Sequence, residues 1–425
     1  MEILYALNIA VAILAIFWPV WFSRRTLRLP LINPLTIVMA IGLPVQLFKL
    51  IGGPVVLIDD GLFDPNYQFA LLMSNVQVAL QTLGLLGFYW WFKSIRAERY
   101  MPFQRALLGR KTLARAEYIF LVLFGGTYLL LAVGDFGLAG WLMNPREGYQ
   151  LHRAGQGQWY ALATTFLGVA FLLSFLARPV ARSILRNTFL YIFLSYFLGS
   201  KGTMLAIFGS SLIFLWFIGW KHLRKMLIVG TPLILALMIL NLFLAMSDGF
   251  GIQTVLEYFD YFKNAADYYR AYFSGQLHLF HGEIFSSNFW AYVPRAVWPD
   301  KPSSYGILLV NEVFFPGQAE ATNTPAFGGA VEQFADFGLF GVIAFSLFST
   351  QSIVTACFSY LTFRRPGISV SRVTLSAVGL MVVQFAPMFG AYFPALLYLT
   401  LLGFVLLVVG LLRQRSVRNR ASLVH

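Results

Sequence analysis

Six cations lie where proline, glycine or aromatic rings rule the chain and not within an apolar run. They are Arg146 and Arg153 in NPREGYQLHRAGQG, Lys201 in the turn GSKGT, Arg270 in the aromatic run 252–273, and Arg295 and Lys301 in VPRAVWPDKPSSYG. Guanidinium and ammonium groups held at fixed places bind anions, and arginine adds a rigid fork that meets two phosphate oxygens at once. In GSKGT, Lys201 and the Thr203 hydroxyl stand at the start of a predicted helix, where free N–H groups and the helix dipole favour negative charge. Pro294, Pro299 and Pro302 forbid a continuous helix around Arg295 and Lys301, so that segment reads as a rigid strap presenting two cations. Titratable groups flank it: His281 and Glu283 before, and Glu332 and Asp336 after, the last two four apart and therefore on one helix face. As a group these residues suit an anionic substrate. The alternative for any single one is solvated pairing with a neighbouring charge.

The elements that must position them are membrane helices. Of 425 residues 58% are hydrophobic and only 12% charged, too little polar surface to wrap a water-soluble globule of this size. One cysteine, Cys357, rules out an internal disulfide framework. Apolar stretches of about 17 to 25 residues are long enough to cross a bilayer as helices. The expected fold is all-α, a polytopic integral membrane protein with eleven spans near 3–22, 35–51, 68–92, 117–134, 158–177, 187–200, 203–220, 226–246, 326–362, 373–390 and 392–412. The ninth exceeds one crossing and is expected to begin as a periplasmic or tilted segment. The first lacks a basic n-region and a small-residue cleavage site, so it is expected to remain as a helix. Residues 1–425 are expected to form a single transmembrane domain.

Charge tests that count. Alternate connections, with the C-terminal tail, hold 23 of the 31 basic residues and only Glu98 and Glu117 as acids; the other side holds 16 of the 18 acids. The excess of Lys and Arg in short loops marks the cytoplasmic side, so the N-terminus is expected in the periplasm and the C-terminus in the cytoplasm. The net charge of +13 is then a topology signal and calls for no nucleic-acid partner. Eight cations remain on the outward side: the six above with Lys49 and Lys263. His152, His278 and His281 accompany them. Most of the polar residues there fall in one outward connection, 247–325, far longer than the others, and structureless connections of that length are uncommon unless they work. Within it, Tyr258, Tyr261, Phe262, Tyr269 and Tyr272, interrupted by Asp260, Lys263, Asp267 and Arg270, suit a helix lying in the membrane interface, where rings serve as headgroup anchors or as platforms for sugar faces.

From VPRAVWPDKPSSYG onward through TNTPAFGGAVEQFADFGLFG (322–341), the chain resembles the Wzy-type oligosaccharide repeat-unit polymerases, the O-antigen polymerase family. The likeness covers the helices, the GSKG turn, the large outward loop and the acidic, glycine-rich helix after it. It includes the family's arginine, ten residues, glycine pattern, matched by Arg146 to Gly157 and by Arg295 to Gly306. The resemblance implies a glycosyltransferase at the outer face of the bacterial inner membrane. A growing glycan on undecaprenyl diphosphate would pass en bloc to a repeat unit on a second undecaprenyl diphosphate, with a flippase and a chain-length regulator as partners.

Breaking an anomeric C–O bond to a lipid diphosphate builds negative charge on the leaving group, and fixed cations can stabilise it in place of a metal. Arg295, Lys301, Arg270, Arg153, Arg146 and Lys201 are the diphosphate-binding candidates. The acceptor hydroxyl must lose a proton, and Glu332, Asp336, His281 and Glu283 are the candidate bases, the acids slightly preferred to His281. For Glu332 and Asp336 the competing role is pairing with a cation or capping a re-entrant segment. No His or carboxylate spacing has the look of a metal motif, so neither metal nor cofactor is expected. An O-antigen ligase needs the same leaving group. A polyprenyl-phosphate-sugar transferase would use paired acids in the first outward loop, faintly present as Asp59, Asp60 and Asp64, which otherwise read as solvated loop acids. A flippase would bury ionisable groups at mid-membrane, and the spans here are almost free of them.

Overall fold

The computed structural model describes residues 2–40 except 38, residue 50, 63–96, 110–151 except 135, 157–244, 261–319 except 294 and 296, and 325–363 except 329. The described residues form helices and connecting turns, with no strand among them. In chain order the helices are α1 (Glu2–Trp21), α2 (Pro65–Ser94), α3 (Arg110–Ala132), α4 (Gly137–Met143), α5 (Pro145–Leu151), α6 (Gly157–Ala177) and α7 (Ala181–Tyr196). They continue with α8 (Lys201–Phe217), α9 (Leu223–Leu244), α10 (Phe262–Phe273), α11 (Glu283–Ser287), α12 (Leu308–Phe314), α13 (Val331–Leu347) and α14 (Thr350–Phe363).

Four helical stretches, Glu2–Thr26, Pro65–Ser94, Leu113–Ala132 and Gly157–Ala177, are long and apolar enough to cross a membrane, and Lys201–Phe217 is a shorter apolar helix. This is the composition of a membrane protein. The expected spans near 373–390 and 392–412, and most of that near 35–51, lie outside the described residues. The long ninth stretch resolves into two helices. α13 ends at Leu347, a turn through Phe348 and Ser349 follows, and α14 runs on to Phe363. α13 is itself broken at Gly338 (φ 60, ψ −148), a backbone conformation open essentially to glycine alone. Its first two turns, Val331–Phe337, therefore form a separate piece.

Among the described residues three packing centres form, a small one where Phe22, Tyr89 and Tyr360 meet and two larger ones. One of the larger two joins α3, α6, α7 and α8 around Phe171, Phe175 and Phe214, whose ring centres follow in series at 4.5 Å (edge-on) and 4.1 Å (tilted). At its edge Glu117 is buried against Arg178 (3.3 Å) and the Tyr191 hydroxyl (3.3 Å), tying α3 to α7 and to the residue after α6. The second centre gathers α2, α10 and α13 around Phe334, met edge-on by Phe69, Tyr269 and Tyr272. Phe262 and Tyr269 of α10 are buried there. These two rings are core, not headgroup anchors or sugar platforms, because α10 turns its apolar face inward onto α2 and α13. Tyr258, Asp260 and the start of the aromatic run lie outside the described residues.

Where water is scarce, polar side chains and small residues hold helices together. α2 uses both. Asn8 of α1 donates to the carbonyl and side chain of Gln68 (2.9 Å each), Asn75 donates back to Asn8 (3.1 Å), and Gln77 donates to Gln333 of α13 (3.3 Å). At Gly84 a Cβ would stand 2.1 Å from the Leu347 carbonyl oxygen, so α2 and α13 touch backbone to backbone. Asp64 caps α2, accepting from the N–H groups of Asn66 (2.7 Å) and Tyr67 (2.9 Å) ahead of Pro65 at the first helical position. It is 1% exposed, which corrects its reading as a solvated loop acid; Asp59 and Asp60 lie outside the described residues.

Candidate functional site

The described candidate residues fall into one main constellation and two satellites. The main one is built on the piece Val331–Phe337. Asp336, 0% exposed, accepts from the N–H groups of Gly282 (2.7 Å) and Ile284 (3.1 Å) through Oδ1 and of Phe285 (2.8 Å) through Oδ2. It thereby holds the start of α11, where His281 (φ 51) and Gly282 (φ 97) both adopt left-handed backbone. His281 and Glu283 ride on this held turn with exposed side chains. With its oxygens taken up by three backbone donors, Asp336 has the geometry of a positioning group, the capping role weighed for it from sequence. Removing a carboxylate that satisfies buried N–H groups costs about 1 to 3 kcal/mol for each donor orphaned. Asp336→Ala is therefore expected to lower thermal stability in detergent and to open 281–286 to proteolysis before global unfolding.

Glu332, one turn earlier, is placed differently. It follows Ala330, a non-glycine residue at φ 58, so strained backbone stands on both sides of the piece that carries it. The side chain is half-buried, and Asn288 donates to its Oε1 at 3.5 Å. Burial pushes its carboxyl up to about 7; the Asn288 hydrogen bond opposes that and the negative charge of Asp336 adds to it. A recessed carboxyl that keeps some solvent access and titrates near neutrality is what proton transfer at physiological pH requires.

The strap approaches from the Asn288 side. Arg295 Nη1 donates to the carbonyls of Lys301 (2.7 Å) and Pro299 (3.4 Å), and Lys301 Nζ donates to those of Trp290 (3.2 Å) and Val293 (3.0 Å). Arg295 thus braces the Lys301 end of the strap and Lys301 braces the backbone before Arg295, and burial together with the nearby Arg295 charge lowers the proton affinity of Lys301. Two like charges in a fixed frame favour an anion between them. The strap closes where the Gly306 N–H donates to the Ser287 hydroxyl (2.8 Å), with Gly306 at φ 57.

Arg146 and Lys201 form the first satellite. Gly199, at φ 64, lets α5 meet the GSKG turn: a Cβ there would stand 2.1 Å from the Pro145 carbonyl oxygen. Arg146 Nη1 reaches the Gly199 carbonyl at 3.5 Å and its guanidinium lies 4.7 Å from the Tyr149 ring centre. Lys201 hydrogen-bonds the Tyr261 hydroxyl and feels the Arg146 charge; Ser200 caps α8 through the Thr203 N–H (3.4 Å). Tyr261 ties this pair to the main constellation, since its carbonyl accepts from the Gly328 N–H (2.9 Å), four residues before Glu332. The second satellite is Arg270, committed to two carboxylates, Asp267 (2.7 Å) and the buried Asp64 (3.0 Å). It stands apart as a latch between α10 and the start of α2. Arg153 and His152 lie outside the described residues. Asn288 and Tyr261 are the site residues sequence reasoning did not single out for such roles; each is tied to its partners across tens of residues, and neither sits in a motif.

No family model matches this chain, and no solved structure does. Among curated proteins it is similar to the O-antigen polymerase of Salmonella typhimurium and to that of Salmonella typhi. Each is 30% identical over 204 residues, 47% of this chain and 49% of the relative. The matched stretch spans about half the length of these relatives.

Proposed function

We propose that this protein polymerises oligosaccharide repeat units carried on undecaprenyl diphosphate. The growing glycan is transferred en bloc to an incoming unit at the periplasmic face of the inner membrane, and undecaprenyl diphosphate is released. The observation that carries this reading is a strap that holds two cations, Arg295 and Lys301, and returns at Gly306 against Asn288, whose amide donates to Glu332, a carboxyl pushed up to about 7. The similarity to O-antigen polymerases supports it.

In the reaction, a hydroxyl oxygen of the acceptor's terminal sugar attacks the anomeric carbon of the donor. The new C–O bond forms as the bond from that carbon to the diphosphate breaks, and the diphosphate leaves with the electron pair. Glu332 takes the hydroxyl proton. Arg295 and Lys301 hold the diphosphate and offset the charge that develops on it, the task that a metal ion performs elsewhere. Arg146 and Lys201, with Arg153, supply further phosphate contacts from the first satellite. Asp336 fixes the turn bearing His281 and Glu283, and Arg270 fixes α10 to α2. The N-terminus lies in the periplasm and the C-terminus in the cytoplasm, with a flippase delivering units and a chain-length regulator acting beside it.

Purified protein mixed with synthetic undecaprenyl-diphosphate repeat units is expected to give a ladder of products, undiminished by a strong chelator. Loss of the ladder with chelator would remove the metal-independent mechanism. Absence of any product beyond the single unit would remove the polymerase reading.

A further inference from the structure

We infer that Asn288 is a positioning residue for Glu332, and that position 306 is glycine so that the Asn288 amide can reach it. This rests on the reading of Glu332 as the proton acceptor. The Asn288 side chain is caught between two elements. Its Nδ2 faces Glu332 Oε1 at 3.5 Å, and its Oδ1 lies against the bare Cα of Gly306. A Cβ at 306 would fall 2.3 Å from that Oδ1 and 2.9 Å from Cγ, well inside contact distance. Gly306 has no freedom to withdraw. Its N–H is held by the buried Ser287 hydroxyl at 2.8 Å, and that hydroxyl donates onward to the Glu283 carbonyl at 2.6 Å. Any side chain at 306 must therefore displace the amide from the carboxyl. The return of the strap and the aim of the acid form one mechanical unit, so the last residue of the Arg295 to Gly306 pattern acts on the proton acceptor without touching substrate.

The sign of the effect follows from the chemistry. An amide N–H favours the ionised carboxylate, so losing it holds the proton on Glu332 to higher pH. Asp336, on the same helix, pushes in that direction already, while α2, packed beside this helix, presents the uncharged Gln77 to the neighbouring Gln333. No ligand is needed for the test. The carboxylic C=O stretch of Glu332 can be followed by infrared spectroscopy of the purified protein across pH, identified as the band that Glu332→Gln removes.

Asn288→Ala and Gly306→Ala are each expected to move the midpoint of that band upward by roughly one pH unit, the size of one hydrogen bond to a charged group. The double variant is expected to move it no further than either alone. Asn288→Ala puts no atom into tight space, so it carries the test by itself if Gly306→Ala fails to fold. An unmoved midpoint in Asn288→Ala, or shifts that add in the double variant, would overturn the inference. A normal ladder from Glu332→Gln would instead remove the catalytic half together with the reading beneath it. That failure is told apart from the first because the infrared midpoints would still move.

Discussion

Replacing Arg295 by alanine is expected to cut polymer formation by roughly ten- to a hundredfold, the worth of one charge-assisted phosphate contact at about 1.5 to 3 kcal/mol. In a polymerase-deletion strain expressing the variant at normal level, surface glycan should appear as single repeats in place of a ladder. Lys301→Ala is expected to do at least as much, because it removes a cation and also releases the carbonyls of Trp290 and Val293 that Lys301 holds. Arg295→Lys tests the geometry and not the charge. A lysine ammonium could replace Nη1 at the carbonyls of Pro299 and Lys301 but has no remaining planar edge to present to phosphate oxygens, so it should recover only a small part of the lost activity. Normal ladders from both alanine variants would end the assignment of the strap to the diphosphate.

The second large effect belongs to Glu332. A positioned base contributes about 10²- to 10⁴-fold, and Glu332→Gln is expected to lose most of that while keeping the hydrogen bond to Asn288 and the shape of the site. With the carboxyl held up to about 7, the wild-type rate should climb through neutral pH as the proton leaves, and the residual rate of the variant should lack that step. Stability should run the other way. A carboxyl whose folded-state affinity for the proton is raised favours folding at low pH, and that contribution is lost as pH rises from the ordinary carboxylate range through about 7. Glu332→Gln should flatten this slope, so thermal unfolding at pH 5 and pH 8 separates the buried titrating group from a solvated one. A variant with wild-type rate and an unchanged pH profile would exclude Glu332 as the base.

The four helices long and apolar enough to cross a membrane were legible in the sequence because lipid demands uninterrupted apolar runs, and no tertiary partner is needed to see them. Glu332 and Asp336 could be placed on one face for a similarly local reason, their spacing. What divides their roles is not local: the three N–H groups that occupy Asp336 come from residues more than fifty positions away. Arg270 illustrates the same limit. Its charge and aromatic surroundings fit a phosphate ligand as well as they fit a latch, until Asp64, 206 residues earlier, is found against it. The Asp64 cap itself had a local signature, an aspartate before proline at the head of a long apolar run, which its neighbours Asp59 and Asp60 obscured. Phe262 and Tyr269 were misread because a ring's type gives no hint whether its face meets headgroups or a second helix.

The break at Gly338 has a bearing on how such a chain can vary. An unbroken helix would transmit every rotation of its second half, which exposes Leu339, Phe340 and Ile343, to the carboxyl at its tip, since each residue added or lost turns the rest by about 100°. Here a swivel separates the two halves, and the outer one is clamped from the side by α2, the α11 turn and the strap. The exposed apolar residues beyond Gly338 can drift while the acid keeps its bearing.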